Sequence, residues 1–173
     1  MYLLGRQAFL EGTIAWLTDN MKVALVTNGY TPNTTTDQFQ SIIGGGNIVA
    51  TSANLASKTS TLGTANAANV TWSSVSGSTA TYIVLYKDTG SGATSPLIML
   101  IDTATNLPVT PNGGDISVQW DSGANKIFTL FAGLSEADRG LVTRLRDWLR
   151  GLGIPAQQSP GGLWIPEPKI VQV

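Results

Sequence analysis

The fold is decided above all by one stretch of sequence, Thr79-Ala80-Thr81-Tyr82-Ile83-Val84-Leu85-Tyr86-Lys87. Its β-branched and aromatic residues suit a pleated surface packed against a core, and Asp88-Thr89-Gly90 follows it as a turn. We therefore expect residues 79–87 to form a strand at the centre of a sheet.

Six further segments carry strand signals of the same kind, because they are short, rich in β-branched residues and separated by Gly, Asn, Asp and Pro. They cover residues 22–27, 48–58, 67–73, 95–102, 115–120 and 125–130. Ile116, Val118 and Trp120 alternate with polar residues, which predicts one buried face. The close spacing of strands and turns predicts an all-β fold, specifically an antiparallel β-sandwich of Ig-like or jelly-roll topology.

Two amphipathic segments flank the predicted strands. Leu10, Ile14 and Leu17 recur at helical spacing within residues 6–17, which predicts a short N-terminal helix weakened by Gly12. A second helix is predicted after residue 130 from apolar residues at the same spacing, namely Leu141, Leu145, Trp148 and Leu152.

This pattern divides the chain into three parts. We expect an N-terminal helical segment at 1–20, a β-sandwich domain at 21–130, and a C-terminal helix with a proline-rich docking arm at 131–173. The arm begins after the helix-ending pair Gly153 and Pro155, and residues 154–173 hold four of the eight prolines, which predicts an extended segment. Residues 28–47 and 103–114 are predicted to be surface loops.

Composition excludes several classes of function. The chain of 173 residues has no histidine and no cysteine, which excludes Ser-His-Asp and Cys-His catalysis and thiolate metal sites. Its net charge of −1 favours neither nucleic acid nor a membrane surface, and we expect no signal peptide and no membrane span. Charged residues make up 12%, about half of the ~25% usual in soluble domains, which indicates a surface covered by neighbours.

Carboxylates are the remaining candidates for catalysis, as in a glycosidase-like hydrolase. Asp88, Asp102, Asp115 and Asp121 each lie where a predicted strand meets a turn, a position at which Asp commonly accepts hydrogen bonds from nearby backbone amides. Trp72 and Trp120 lie in predicted strands, where burial in the core is the simpler interpretation. We therefore predict that the protein is not an enzyme and has no catalytic residue, cofactor or metal site.

Residues 131–173 hold the candidate partner-binding side chains. Arginines and a tryptophan of the predicted helix could contact an acidic protein surface, and apolar residues of the arm could add a strand or fill a groove elsewhere. They are Arg139, Arg146, Trp148, Arg150, Leu163, Trp164, Ile165, Ile170 and Val171. The alternatives are a solvated helix face and an arm that folds back onto its own domain.

An ordered set of short motifs between residues 5 and 130 resembles a family of small tailed-phage virion proteins. The set comprises Gly5-Arg6, Phe9-Leu10, Ile14, Lys22-Val23-Ala24-Leu25-Val26, Tyr30-Thr31-Pro32, Val70-Thr71-Trp72, Tyr82-Ile83-Val84-Leu85-Tyr86-Lys87-Asp88-Thr89-Gly90, Ser95-Pro96-Leu97-Ile98, Asp102, Asn112-Gly113-Gly114-Asp115, Ile116-Ser117-Val118-Gln119-Trp120 and Ile127-Phe128. Residues 131–173 depart from the family pattern and resemble an added attachment device.

The resemblance implies a structural protein of the virion, and we expect a capsid cement or decoration protein that clamps neighbouring capsid subunits. Its expected partners are other virion proteins and further copies of itself, with a trimer suited to threefold lattice positions. The alternatives are a tail, head–tail connector or fibre component, and a carbohydrate-binding receptor module that uses aromatic residues and the loops at 28–47 and 103–114.

Overall fold

In the computed structural model the described residues are 1–123 and 126–130, which belong to one unit, Met1–Leu130. They consist mostly of strands in antiparallel sheets together with one short α-helix. The prediction of a β-rich antiparallel fold with a short N-terminal helix is therefore confirmed. The predicted C-terminal helix and docking arm at 131–173 lie outside the described residues.

The helix α1 and nine strands follow one another along the described part of the chain. They are α1 (Leu3–Leu10), β1 (Met21–Val26), β2 (Ile48–Thr51), β3 (Thr59–Thr61), β4 (Thr64–Asn66), β5 (Val70–Trp72), β6 (Tyr82–Lys87), β7 (Leu97–Ile101), β8 (Ile116–Val118) and β9 (Phe128–Thr129). The strands form a four-stranded sheet in the order β2-β1-β6-β7, a three-stranded sheet β3-β4-β9 and a pair β5-β8. No helix in this part of the chain is long and apolar enough to cross a membrane.

The four-stranded sheet is buried on both faces. In β1, Val23 and Leu25 join one hydrophobic cluster, the first core, while Ala24 and Val26 join another, the second core. In β6 the residues alternate in the same way, so its apolar run fills both cores. The first core also contains side chains from the other two sheets, among them Ala65, Trp72 and Phe128.

The second core is closed by Tyr2 and by residues 28–47. Tyr2, Tyr30 and Ile43 pack there against the central strands, and Gln40–Ile43 and Gly45–Asn47 form short 3-10 helices. Residues 28–47 are mostly exposed, as predicted for a surface loop, and their buried residues Tyr30 and Ile43 also cover one face of the sheet. Residues 103–114 are mostly exposed, as predicted.

The N-terminal helix lies earlier in the chain than the predicted range of 6–17. It ends because Gly12 adopts a φ of 70° and closes a Schellman motif, in which Thr13 N–H donates to the Ala8 carbonyl at 2.9 Å. The predicted apolar stripe was also wrong, because Leu10 is 80% exposed and Leu17 is 57% exposed. The buried member of the stripe, Ile14, lies beyond the helix.

Several predicted strands are shorter than expected. The strand predicted over 48–58 ends at Thr51, because the next residue, Ser52, accepts a hydrogen bond from Val23 N–H with its side-chain hydroxyl at 2.9 Å. Residues 59–66 form an unpredicted hairpin of β3 and β4. The alternation of Ile116, Val118 and Trp120 is present, but their side chains are half-buried rather than buried.

The helix α1 approaches the backbone of β7 closely at Gly5. Tyr2 N–H donates to the Ile98 carbonyl at 3.0 Å, which holds the start of the chain beside the strand. A Cβ atom added at Gly5 would overlap the Leu97 carbonyl oxygen, a backbone atom of β7. Only glycine fits at this position, because every other residue would place a Cβ atom against the backbone of β7.

We predict that Gly5→Ala destabilises the protein by about 1–3 kcal/mol, because α1 must move away from β7 to relieve the overlap. The measurement is the free energy of unfolding from urea denaturation. Gly46→Ala is the matched control, since its added methyl group would meet open space. Equal stability of the two variants would contradict the close packing of α1 on β7.

Candidate functional site

The predicted partner-binding residues all lie outside the described residues. They are Arg139, Arg146, Trp148, Arg150, Leu163, Trp164, Ile165, Ile170 and Val171. Their roles stay predictions, and the candidate sites described here belong to residues 1–130.

The candidate carboxylates are engaged in the way expected of turn residues. Asp115 Oδ1 accepts from Ser74 N–H at 2.9 Å, and Asp121 Oδ1 accepts from Gly123 N–H at 2.9 Å. Asp88 pairs with Lys22 at 2.7 Å and accepts from Gly90 N–H at 3.0 Å. These contacts, led by the Lys22 ammonium, hold the pKa of Asp88 below its ordinary value.

The fourth carboxylate, Asp102, is exposed and accepts a hydrogen bond from the neighbouring Thr103 hydroxyl at 3.3 Å. Asp88 and Asp121 therefore accept hydrogen bonds from backbone amides two residues further along the chain, as their positions predicted, whereas Asp115 accepts from an amide 41 residues away. Within residues 1–123 and 126–130 no group of three or more acidic side chains is placed to hold a metal ion.

The tryptophans of the described domain serve mainly as packing residues. Trp72 is buried in the first core, as predicted. Trp120 is half-buried, and its indole N–H donates to the Ala68 carbonyl at 2.9 Å. Trp16, which also lies in the first core, donates to the Thr59 carbonyl at 2.8 Å. The three rings pack in or against the first core, and those of Trp16 and Trp120 also donate hydrogen bonds to backbone carbonyls. They therefore do not form an exposed platform on which a sugar could stack.

Tyr2, Tyr30 and Asp37 form a hydrogen-bonded network beneath the central sheet. The Tyr30 hydroxyl donates to Asp37 Oδ2 at 2.6 Å, and Asp37 Oδ2 also accepts from Asn33 N–H at 2.8 Å. Because the single hydroxyl hydrogen of Tyr30 is used in this way, the Tyr2 hydroxyl donates to Tyr30 at 3.0 Å. The network joins the N-terminal segment to residues 28–47.

Burial changes the acidity of both phenols. It raises the pKa of Tyr2 to about 12. Burial also raises the pKa of Tyr30, and the hydrogen bond to Asp37 raises it further because the carboxylate opposes a second negative charge. Both hydroxyls therefore stay protonated at neutral pH, which suits a structural role. The sequence pattern gave no sign of this network, because Tyr2 and Tyr30 are 28 residues apart.

The strand β8 borders a cleft of about 560 Å³, which we call the β8 cleft. Its floor includes the buried residues Leu25 and Ile83, and its other wall is the loop segment 104–109. Four consecutive residues, 116–119, line it. Since successive side chains of a strand point to opposite faces, a cleft lined by all four must run along the edge of β8.

The lining of the β8 cleft is apolar inside and polar at the rim. Leu107, Val109, Ile116 and Val118 are half-buried, so each presents some apolar surface. Thr105, Asn106, Ser117 and Gln119 supply polar groups, and no lining residue carries a charge. Such a lining suits an extended apolar segment better than an ion or a charged small molecule.

A second cleft of about 510 Å³ lies beside Trp72 and is lined largely by hydroxyl side chains. They are Thr51, Ser52, Thr71, Ser73, Ser74 and Ser76. The indole N–H of Trp72 is buried and has no hydrogen-bond partner within the described residues. The cleft offers hydroxyl groups but no charged group for a ligand.

One exposed leucine, Leu62, lies in a turn that the sequence pattern did not predict. Leu62 is 97% exposed at the tip of the β3-β4 hairpin, where it has a φ of 50° and is followed by Gly63 at 80°. Two-residue hairpin turns with positive φ at both positions favour Asn or Asp followed by Gly. A leucine here lowers local stability and exposes apolar surface, so packing within the domain does not explain it.

No protein-family model matches this chain, and no curated protein was found to be similar to it. The resemblance of residues 5–130 to tailed-phage virion proteins therefore stays a prediction.

We predict that Tyr2→Phe reduces the loss of stability at alkaline pH. The folded-state pKa of Tyr2, about 12, exceeds its ordinary value of 10.0, so its contribution is complete below pH 10 and is lost as the pH rises toward 12. Urea denaturation between pH 9 and about 12 measures this loss. Tyr82→Phe is the control because it leaves Tyr2 in place. Parallel curves for the two variants would contradict the raised pKa of Tyr2.

Proposed function

We propose that this chain is a non-enzymatic structural protein of a tailed-phage particle, and more narrowly a capsid cement or decoration protein that clamps neighbouring capsid subunits. The observation that carries the proposal is the spatial arrangement of the motifs that resemble the virion family. Lys22–Val26 lies in β1, which pairs with β6 over Tyr82–Lys87. Gly5 lies in contact with Leu97, within the motif Ser95–Ile98.

Motifs that are up to about 90 residues apart in sequence thus form one contiguous framework of α1, β1, β6 and β7. A shared fold requires matched residues to contact one another, and the contacts among these motifs meet that requirement. This contiguity supports the family resemblance and, through it, a role in the virion.

We further propose that the strands are arranged as an antiparallel β-sandwich. The first core supports this, because Val23 and Leu85 of the central sheet pack in one cluster with Trp72 of the β5-β8 pair and Phe128 of the three-stranded sheet. Sheets that share a core through their inner faces are the defining feature of a sandwich. Ig-like and jelly-roll topologies are the two arrangements that we consider.

The surface of the domain supports a role in assembly. Only 12% of the chain is charged, about half of the ~25% usual in soluble domains, which suits a surface that neighbouring subunits cover. Other virion proteins and further copies of this chain, in a trimer at threefold positions, are the proposed partners.

A tail, head–tail connector or fibre component is the alternative within the same class. A lattice protein occurs in many copies because the shell repeats, whereas neck and tail rings close with few subunits. Copy number therefore distinguishes a cement protein from this alternative.

We predict that purified particles contain hundreds of copies of this protein, in a fixed ratio to the major capsid protein. Quantitative mass spectrometry measures this ratio, with peptides of the major capsid protein as the internal standard. About a dozen copies or fewer would replace the cement assignment with a neck, tail or fibre assignment. Absence of the protein from purified particles would contradict the virion role itself.

A further inference from the structure

The outer edge of β8 pairs with no strand in the described part of the chain. On its inner side β8 pairs with β5, through Val70 with Val118 and Trp72 with Ile116. Among residues 1–123 and 126–130 no other strand pairs with β8. Its outer N–H and C=O groups therefore have no strand partner in the described domain.

The direction of these groups follows from the alternation of the strand. Trp120 N–H donates to Asn69 Oδ1, on the β5 side, at 3.1 Å. Since backbone groups of alternate residues point to the same side of a strand, those of Ser117 and Gln119 point away from β5. These two residues also line the β8 cleft, so the free backbone groups border it.

The edge of β8 is short, at three residues, but it lacks the other common protections against pairing with another strand. Proteins commonly protect edge strands with charged residues, proline or a bulge. The sequence Ile116-Ser117-Val118-Gln119-Trp120 contains no charged residue and no proline, and its pairing with β5 has no bulge. An unprotected edge beside an apolar cleft is the arrangement that binds an added strand.

The loop segment 104–109 forms the wall of the cleft opposite β8. It can contact the side chains of a bound strand but offers no second set of backbone hydrogen bonds. Val109 exchanges backbone hydrogen bonds with Ala80 at 2.9 and 2.8 Å, so its polar groups are already paired. Leu107 and Val109 line the wall. A strand in the cleft would bond to β8 along one side and pack apolar side chains against the loop on the other.

We propose that residues 170–173 of a second copy of this chain bind in the β8 cleft as an added β-strand. The segment Ile170-Val171-Gln172-Val173 is rich in β-branched residues and free of proline, so each residue can donate a backbone hydrogen bond. Its four residues match the length of Ile116–Gln119. The other apolar segment, 163–165, is followed at once by Pro166, which cannot donate.

The choice of a second copy rests on the proposed role in a virion lattice. If every copy carries both the β8 cleft and residues 170–173, each copy can receive one strand and donate another, and the copies can close into a ring. A threefold ring of this kind would hold neighbouring subunits together through backbone hydrogen bonds.

Cysteine cross-linking of the full-length chain tests the proposal, because the natural sequence contains no cysteine. One set of copies carries Ser117→Cys or Gln119→Cys, and a second set, distinguished by mass, carries Cys at position 170, 171, 172 or 173. Directly opposed strand residues have Cα atoms about 4.5–5.5 Å apart, which permits a disulfide. Diagonal neighbours, at about 7–8 Å, are too distant.

We expect one of the four positions to dominate the covalent heterodimers formed with Ser117→Cys. With Gln119→Cys the dominant position should move by two residues, because two residues along one strand correspond to two along its partner. Ser60→Cys, on the exposed strand β3, is the matched control and should give only background heterodimer.

Equal cross-linking at all four positions, or heterodimer no higher than with Ser60→Cys, would overturn the proposal. So would a disulfide that forms only within single copies of a double variant such as Ser117→Cys with Val171→Cys, because the segment would then bind its own domain. This outcome is separate from the virion role. If copies pair through these strands but the protein is absent from purified particles, the proposed function is wrong and the proposal for the β8 cleft still holds.

Discussion

The structure depends on the pairing of β1 with β6 and on the burial of both faces of that pair. Residues from Met21 to Val26 lie opposite residues from Tyr82 to Lys87 in an unbroken antiparallel register. Both strands carry apolar side chains on both sides, so each face must be covered. The two smaller sheets, with Ala8, Ile14 and Trp16, cover one face, and Tyr2 with residues 28–47 covers the other.

This requirement explains features that are otherwise unconnected. The second face is covered by irregular backbone, which carries polar groups that must find partners when buried. The network of Tyr2, Tyr30 and Asp37 supplies such partners. Gly5 allows α1 to lie close against the backbone of β7, which brings Tyr2 to the network. The motifs that resemble virion proteins include Gly5 and Tyr30 but not Tyr2 or Asp37.

The central strands could be predicted from the sequence because their apolar runs are long and their flanking turns are clear. The cover on the second face could not, because residues 28–47 are rich in Thr, Asn and Gly, and their buried members are few and far apart. The helix boundaries were missed because leucines with helical spacing at Leu10 and Leu17 remain exposed after the chain turns at Gly12. Leu62 occupies a turn position where its residue type is disfavoured, so composition gave no signal for the hairpin.

The candidate site could be predicted only in part. The pattern of the sequence indicated apolar segments in 131–173 and their binding to a sheet edge or groove, but it could not indicate which edge is free, since that depends on strand order. The hydrogen bonds of Asp88 and Asp121 could be predicted because an Asp at the end of a strand commonly accepts from amides two residues on, whereas the contact of Asp115 with Ser74 joins distant parts of the chain. The β8 cleft brings together residues from β1, β6, β8 and the loop 103–114, a combination that no local pattern encodes.

Native-state hydrogen exchange on the full-length chain tests the central claim, that the β1-β6 pair buried on both faces is the stable centre of the fold. We predict that the amides shared between these two strands exchange only through global unfolding, while those of the exposed hairpin at 59–66 exchange by local opening and much faster. Exchange of the β1 and β6 amides at the rate of the hairpin amides would contradict it.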